Sequence, residues 1–350
     1  MNLDMTDLDL VIKSLFDDES IEGYDLLASA QSSVWIASGL AKISASYGAS
    51  MMQKIGGHPS RLMSALDYCQ TSRLRCLPLL VTLKGRNSDA IGVAKAITDR
   101  NTPNALVLTG DRDGQASRHL MNSNTKVALI EATLPDKDKR FVNCKSIFML
   151  SALTHRLVSQ ALQTDEGCLI NQTSLIRAFY IVGQKAKNLV GQLTAVERWQ
   201  ERQIIILADG LVGELAITWQ SILAESGIAT SVCMDIKDYT HGDHLAASRT
   251  GTSIFLIIRH GSIRSLCDIF TQRFEVLYPV FTVDLECDGA LRYWENLFFA
   301  CNSAALLTSA LGYPGSRPPK NPVVWAWRGW GEVLCLNGFS KSAIDKEIIP

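Results

Sequence analysis

Hydrophobic residues in this chain come in short runs, each closed by a polar turn and followed by a stretch with helical spacing. Leu79, Leu80 and Val81 form one such run. Lys84-Gly85-Arg86-Asn87 is its turn, and Ser88-Asp89 opens a helix that continues through Thr98. Earlier, Val34 to Gly39 predicts a short strand ending at glycine. The small and apolar residues Ile43, Ala45, Tyr47, Ala49, Met51 and Met52 then suit a helix packed closely on a sheet and ended by Gly56-Gly57. Further on, Asn104 to Gly110 reads as a strand and turn, Gln115 to Met121 as a helix and Lys126 to Glu131 as a strand. Phe141 to Ser146 leads into a long apolar helix, Ile147 to Leu162. Strands alternating with helices imply a parallel sheet covered on both faces, with ligands at the C-terminal ends of the strands.

The pattern then starts again. Thr164-Asp165-Glu166-Gly167-Cys168 is the candidate linker, and Ser174 to Glu201 is predicted to be one long helix. Gln203 to Leu211 matches Ser33 to Leu40 when Gly210 is superposed on Gly39, an offset of 171. Ser253 to Ser262 matches the strand and turn around Gly85 when Gly261 is superposed on it, an offset of 176. Two similar offsets at separate landmarks indicate two copies of one α/β unit. The first turn carries Lys84 where the second carries His260. Pro279 to Asp284 predicts a last strand, and Asp288 to Leu311 a helix rich in aromatic and small residues. The expected fold class is therefore α/β, as two tandem three-layer α/β/α units with mostly parallel sheets. The division is an arm over 1–27, a first unit over 28–165, linker and long helix over 166–200, a second unit over 201–312 and a tail over 313–350.

The two ends differ from the body. The arm has eight acidic residues against a single Lys13, and Leu8, Val11, Ile12, Leu15 and Phe16 fall at helical spacing, so it docks an apolar face on a neighbour or on the body of the protein. The prolines of the tail up to Pro322 exclude regular structure there. Trp325, Trp327 and Trp330 close a core or a subunit contact, or else offer a stacking surface to a sugar ring.

Length and composition narrow the function. With 350 residues, 47% of them hydrophobic, two cores can be filled. A net charge of −1 from 34 basic and 35 acidic residues, scattered along the chain, argues against nucleic acid as a partner. No apolar segment reaches the roughly 20 residues of a membrane span, and the N-terminus is acidic where a signal peptide is basic, so the expected compartment is the cytoplasm. Nine cysteines with no C-x-x-C pair suggest reduced, buried thiols. The single Gly39, without G-x-G-x-x-G spacing, gives no support for a dinucleotide, and no cofactor is expected. His241 and His244 lack further ligands in register, so no metal is expected either. The strand, glycine turn and helix N-terminus around Gly85 present free N–H groups and the positive end of a helix dipole, to which Lys84 adds a full charge. That is a cradle for an anion.

With both turns and the repeat in view, residues 26–322 resemble the sugar isomerase (SIS) family in its double-domain form. Examples are the isomerase half of glucosamine-6-phosphate synthase and related phosphosugar isomerases and deglycases. The family's phosphate loop, Ser-x-Ser-Gly-x-Thr-x-Asp, is similar to Thr82-Leu83-Lys84-Gly85-Arg86-Asn87-Ser88-Asp89. The strand, Gly85 and Asp89 are kept, the first hydroxyl is conservatively changed to Thr82, and the other two are replaced by Lys84 and Asn87. Where the family offers Gly-Thr-Ser hydroxyls after its first strand, Gly39-Leu40-Ala41 offers none. Phe141 to Ser146 resembles the family's Val-Ala-Ser-Thr-Lys segment beside the sugar, with Asn143 for a serine.

The resemblance implies two catalytic residues. Aldose–ketose isomerases of this type use a glutamate late on the first helix of the second domain to move a proton between C1 and C2 through an enediol. A histidine sixteen residues on, in a His-Gly step, opens the sugar ring, usually reaching across from the partner subunit. Glu225 and His241 are similar in context and separation. A carboxylate can face two adjacent carbons, and ring opening needs a group that titrates near neutrality. The resemblance thus implies an isomerase-like enzyme for an anionic sugar derivative, as a homo-oligomer. Its site would comprise Glu225, His241, Gly39, Thr82, Lys84, Gly85, Arg86, Asn87, Asp89 and Asn143. The alternative is a non-catalytic protein that binds a sugar phosphate or nucleotide as a sensor or assembly component.

Overall fold

A computed structural model describes residues 3–17, 19–71, 74–133, 143–163, 169–209, 214–241, 243–244 and 252–313. The expected linker over 164–168, the landmark Gly210, Phe141 and Val142, Gly242 and the tryptophan tail lie outside the described residues. The chain divides into two compact units. One holds residues 14–133 and 146–163 of the described chain, the other 3–13, 143–145 and 169–313.

The earlier unit is built on five parallel strands in the order β2-β1-β3-β4-β5: β1 (Ser33–Ile36), β2 (Ser60–Met63), β3 (Leu77–Thr82), β4 (Asn104–Thr109) and β5 (Lys126–Glu131). β3 reads as an unbroken apolar run because it is buried on both faces. Helices α4 (Ala65–Gln70), α5 (Ser88–Asp99) and α6 (Gln115–Met121) cover one face, where Val34, Ile36, Leu80 and Val107 meet Tyr68, Val93, Ile97 and Leu120. Trp35, which alternates with Val34 and Ile36, packs on the other face against α3 (Ala41–Lys54). α3 in turn meets α7 (Cys144–Leu162) through buried polar pairs: Ser44 with Ser151 at 3.0 Å, and the Tyr47 hydroxyl with His155 Nδ1 at 2.8 Å. α1 (Met5–Leu15), which belongs to the later unit as far as Lys13, buries Leu8, Val11 and Leu15, so the amphipathic arm packs on this chain itself. Beyond it, Arg156 of α7 pairs with Asp17 at 3.0 Å. A short α2 (Tyr24–Ser29) precedes β1.

The later unit repeats the plan with one strand fewer. β6 (Gln203–Ala208), β7 (Ser231–Asp235), β8 (Ser253–Arg259) and β9 (Val280–Asp284) are all parallel, in the order β7-β6-β8-β9. Ile205, Leu207, Phe255 and Ile257 face an aromatic cluster with α10 (Ile236–Tyr239) and α11 (Arg264–Phe274), including Tyr239, Phe270 and Tyr278. The alternate residues Ile204, Ile254 and Leu256 face α8 (Gln172–Thr194), α9 (Glu214–Glu225) and α12 (Gly289–Ala310) through Leu189, Trp219 and Leu307. The Trp219 indole N–H donates to Asn296 Oδ1 at 2.9 Å, satisfying both groups inside that layer. Both sheets are parallel and flanked by helices, the α/β class that the alternation predicts.

Three expectations are corrected. The long helix stops at Thr194 rather than Glu201, because Arg198 takes a left-handed backbone conformation (φ 52°) before a single 3-10 turn. β2 and β7 are additional strands, and α7 begins at Cys144. Among the described residues the cysteines are free thiols, and Cys144, Cys267 and Cys301 are buried.

His155 is fully enclosed between α3 and α7, and burial holds its pKa down at about 4, from 6.5. The folded imidazole therefore stays neutral where the unfolded one gains a proton. Its contribution is complete above pH 6.5 and is lost as pH falls from 6.5 toward 4, amounting to roughly 3 kcal/mol at the bottom of that window. Urea unfolding of wild type and His155→Gln at pH 7, 5.5 and 4 is expected to show a gap in stability that narrows as pH falls.

Candidate ligand site

Strands β1 and β3 are neighbours in register, with Ile36 opposite Leu80, so the turns that leave them lie side by side at the C-terminal edge of the earlier sheet. Gly39 (φ 57°) and Gly85 (φ 58°) occupy equivalent places in the two turns, each in the left-handed region that glycine enters without strain. Within the second turn, the Gly85 N–H donates to Thr82 Oγ1 at 3.2 Å. Asn87 spends its carbonyl oxygen on the Ala90 N–H at 2.9 Å, capping α5, while its Nδ2 donates to Ser38 Oγ at 3.2 Å and joins the two turns.

The β4–α6 turn is drawn against the same loop. Gly110 N–H donates to Leu83 O at 3.0 Å and Ala116 N–H to Gly85 O at 2.9 Å. Gly114 comes so close that a Cβ there would stand 2.3 Å from Lys84 O. Arg86 reaches Asp111 at 2.7 Å across the same gap. The carbonyls of Leu83 and Gly85 are thereby turned inward and bonded. Among the described residues, the N–H groups of Arg86, Asn87 and Ser88 at the start of α5 make no hydrogen bond, and exposed Lys84 has no ion pair. Unbonded N–H groups at a helix N-terminus therefore stand beside a lysine, a geometry that can receive an anion. Asp89, half-buried in the first turn of α5, is placed favourably in the helix dipole. The buried Ser117 hydroxyl has no hydrogen-bond partner and lies close under Gly85. A serine inside a short helix gives no signal of that placement.

The remaining site residues lie in the later unit. Asn143 is half-buried and directly precedes α7. Glu225 is exposed and closes α9, and the turn from Ser226 to Thr230 leads into β7, so it stands at the edge where the strands of the later sheet begin. His241 is exposed and follows α10, at the edge where those strands end. The two residues are separated by the length of β7, on the order of 13 Å, and one protomer does not bring them together within this unit.

The turn after β8 behaves differently from its counterpart. His260, at the position of Lys84, is 1% exposed, with Nε2 2.9 Å from Asp209 Oδ1, although not aligned as a hydrogen bond. Arg292 Nη1 lies 3.0 Å from its Nδ1. A guanidinium can only donate, so Nδ1 accepts and the ring proton sits on Nε2, toward the carboxylate. Nδ1 is thus committed to Arg292, while Nε2 stands close to the carboxylate without bonding it. Nearby, the Glu295 carboxylate is 2% exposed and accepts N–H bonds from Glu286 and Cys287 at 2.8 and 2.9 Å, with Lys185 at 3.5 Å. Burial and that carboxylate push the Cys287 thiol up to about 12, which leaves it protonated and unreactive at neutral pH. Among the described residues, no group of three or more His, Cys, Asp or Glu could hold a metal, and no helix is long and apolar enough to cross a membrane.

No protein family model matches this chain, and no curated protein matches it by sequence. Solved structures do. A protein from Silicibacter pomeroyi DSS-3, provisionally assigned as a phosphosugar isomerase, superposes with a TM-score of 0.65 at 14% identity, over 87% of this chain and 95% of its own. The C-terminal domain of glucosamine-fructose-6-phosphate aminotransferase from Francisella tularensis gives 0.62 at 12%, over 90% and 95%. The fold is that of the sugar isomerase (SIS) proteins. Tagatose-6-phosphate ketose/aldose isomerase from Escherichia coli shares this sugar isomerase fold, with a TM-score of 0.59 at 13% identity over 91% of this chain and 89% of its own.

The close approach at Gly114 gives a direct check on the loop. Gly114→Ala sets a methyl against the Lys84 carbonyl, which is backbone and cannot swing aside. Urea unfolding is expected to show a loss of about 1–3 kcal/mol, with amide shifts spreading from residue 114 to 83–87.

Proposed function

We propose that this protein is an isomerase-like enzyme acting on a phosphorylated or otherwise anionic sugar derivative. The observation that carries the reading is the pair of turns after β1 and β3, held side by side by Asn87 and Ser38 with N–H groups and Lys84 uncommitted at the start of α5. Solved structures that share the fold include a ketose/aldose isomerase of a sugar phosphate. In this reading the Thr82 to Asp89 loop holds the anion, and the turn at Gly39 and the residue Asn143 lie beside the sugar. Glu225 moves the proton between C1 and C2, and His241 opens the ring. The positions of Glu225 and His241 at opposite edges of one sheet fit a homo-oligomer in which each site draws these two groups from different protomers.

A second reading, a non-catalytic sensor of the same ligand class, is favoured by one feature. Asn87 uses its carbonyl oxygen on the cap and one amide N–H on Ser38, and Arg86 pairs with Asp111, so these side chains are partly engaged within the protein where the family pattern supplies hydroxyls to a phosphate.

Thermal-shift measurement against a panel of sugar phosphates and nucleotides identifies a ligand, and proton NMR in deuterated water then follows exchange at C2. The enzyme reading expects exchange in wild type and a fall of at least about a hundredfold in Glu225→Gln with binding retained. Binding without exchange supports the sensor, and exchange undiminished in Glu225→Gln removes the glutamate from the scheme. Mixing Glu225→Gln with His241→Ala protomers is expected to restore about a quarter of wild-type turnover if sites are shared between subunits, since random pairing gives half heterodimers with one intact site each. No recovery, or a monomer by light scattering, contradicts the shared site.

A further inference from the structure

At the opposite edge of the earlier sheet, where its strands begin, a groove of about 580 Å³ runs between the starts of β1, β3 and β4 and the ends of α2, α4 and α5. A second basin of about 390 Å³ adjoins it, the two sharing Ser32, Leu74, Arg75 and Cys76. These are volumes that accept a small organic molecule. Arg75 belongs to both basins, Arg100 to the larger and Arg61 to the smaller, and among the described residues that line them none is acidic.

The arginines have an ordinary structural task to be weighed first. Helix C-termini carry about half a negative charge each, and three of them end here. Arg100 answers that directly. Its Nη2 donates to Tyr68 O at 2.7 Å and Cys69 O at 2.9 Å, the last carbonyls of α4, and its guanidinium lies 4.7 Å from the centre of the Tyr68 ring. Its Nη1 is left without a partner. Arg61 and Arg75 do no such work: both are exposed, and among the described residues neither makes a side-chain hydrogen bond or an ion pair. Three full positive charges exceed about one and a half negative, so the groove keeps a cationic surplus. Polar and apolar surface line the groove in about equal measure, with Leu26, Leu74, Leu77 and Pro103 among the apolar part.

We propose that this groove is a second ligand site, separate from the candidate sugar site, for a small anion with an apolar body. The apolar part lies along Leu26 and Leu74, and a phosphate or carboxylate group is held by Arg75 with Arg100 behind it. An arginine–anion hydrogen bond is worth enough that losing one weakens binding about tenfold or more.

Calorimetric titration of the full chain at low salt tests this with phenyl phosphate, benzoate, inorganic phosphate and benzyl alcohol as probes. Phenyl phosphate or benzoate is expected to bind saturably and more tightly than inorganic phosphate or benzyl alcohol, and the stronger of the two identifies the charged group preferred. Arg75→Ala, a change at an exposed side chain, is expected to weaken that binding about tenfold with the melting temperature unchanged, and Arg61→Ala to weaken it less. Lys84→Ala is expected to leave it intact. Absence of saturable binding, or binding indifferent to Arg75→Ala, overturns the proposal. Loss on Lys84→Ala alone would assign the anion to the other edge and likewise overturn it. None of these outcomes depends on whether sugar is turned over.

Discussion

Parallel strands cannot be joined by a tight turn, so each strand of the earlier sheet must be followed by a segment that returns across one of its faces. The return after β1 leads to β2 on one side, and the return after β2 brings the chain back to place β3 on the other. β1 and β3 therefore stand next to each other with their outgoing turns diverging to different helices, the place where open α/β sheets leave a crevice. The bonds that join the turns at the candidate site presuppose the order of the strands. Asn87 can reach Ser38 only because Ile36 and Leu80 are opposite each other, and Gly110 and Ala116 can bond the loop only because β4 follows directly on the far side of β3.

The loop is held mainly by neutral bonds. Backbone groups of the β4–α6 turn and the amide of Asn87 fix its shape. Among the described residues, the ion pair of Arg86 with Asp111 joins a side chain that is 67% exposed and contributes little to stability. Charge at this edge is consequently available to a solute instead of being locked into the fold. The later unit takes the other course: Glu295 is nearly inaccessible and is matched by two backbone N–H groups and Lys185, which also reaches the Asp284 carbonyl and Glu286. A buried carboxylate persists only with such a complete set of partners.

Most of the framework was legible because hydrophobic burial writes itself into the chain. β3, β4, β6 and β8 are buried along nearly their whole length and stand out as apolar runs. The two strands without a clear signal, β2 and β7, are the equivalent edge strands of the two sheets, and their short apolar runs, Leu62-Met63 and Val232 to Met234, are only half-buried. The premature end of α8 was hidden for another reason, since neither glycine nor proline marks the turn that Arg198 makes. At the candidate site, the glycine turn and the helix start could be read locally. The partners of Asn87 and Arg86 could not, because Ser38 and Asp111 lie 49 and 25 residues away, and only the order of the strands brings them near.

Asp209, His260 and Arg292 form a row whose formal charges cancel when the imidazole is neutral. The turn after β8 is thus supplied with its own counter-ions, and no dissolved ion has to complete it. Its twin after β3 has an unanswered lysine in the corresponding place. Among the described residues, the turn after β8 thus looks inward and the turn after β3 looks outward, and the latter keeps an electrostatic reason to admit a guest.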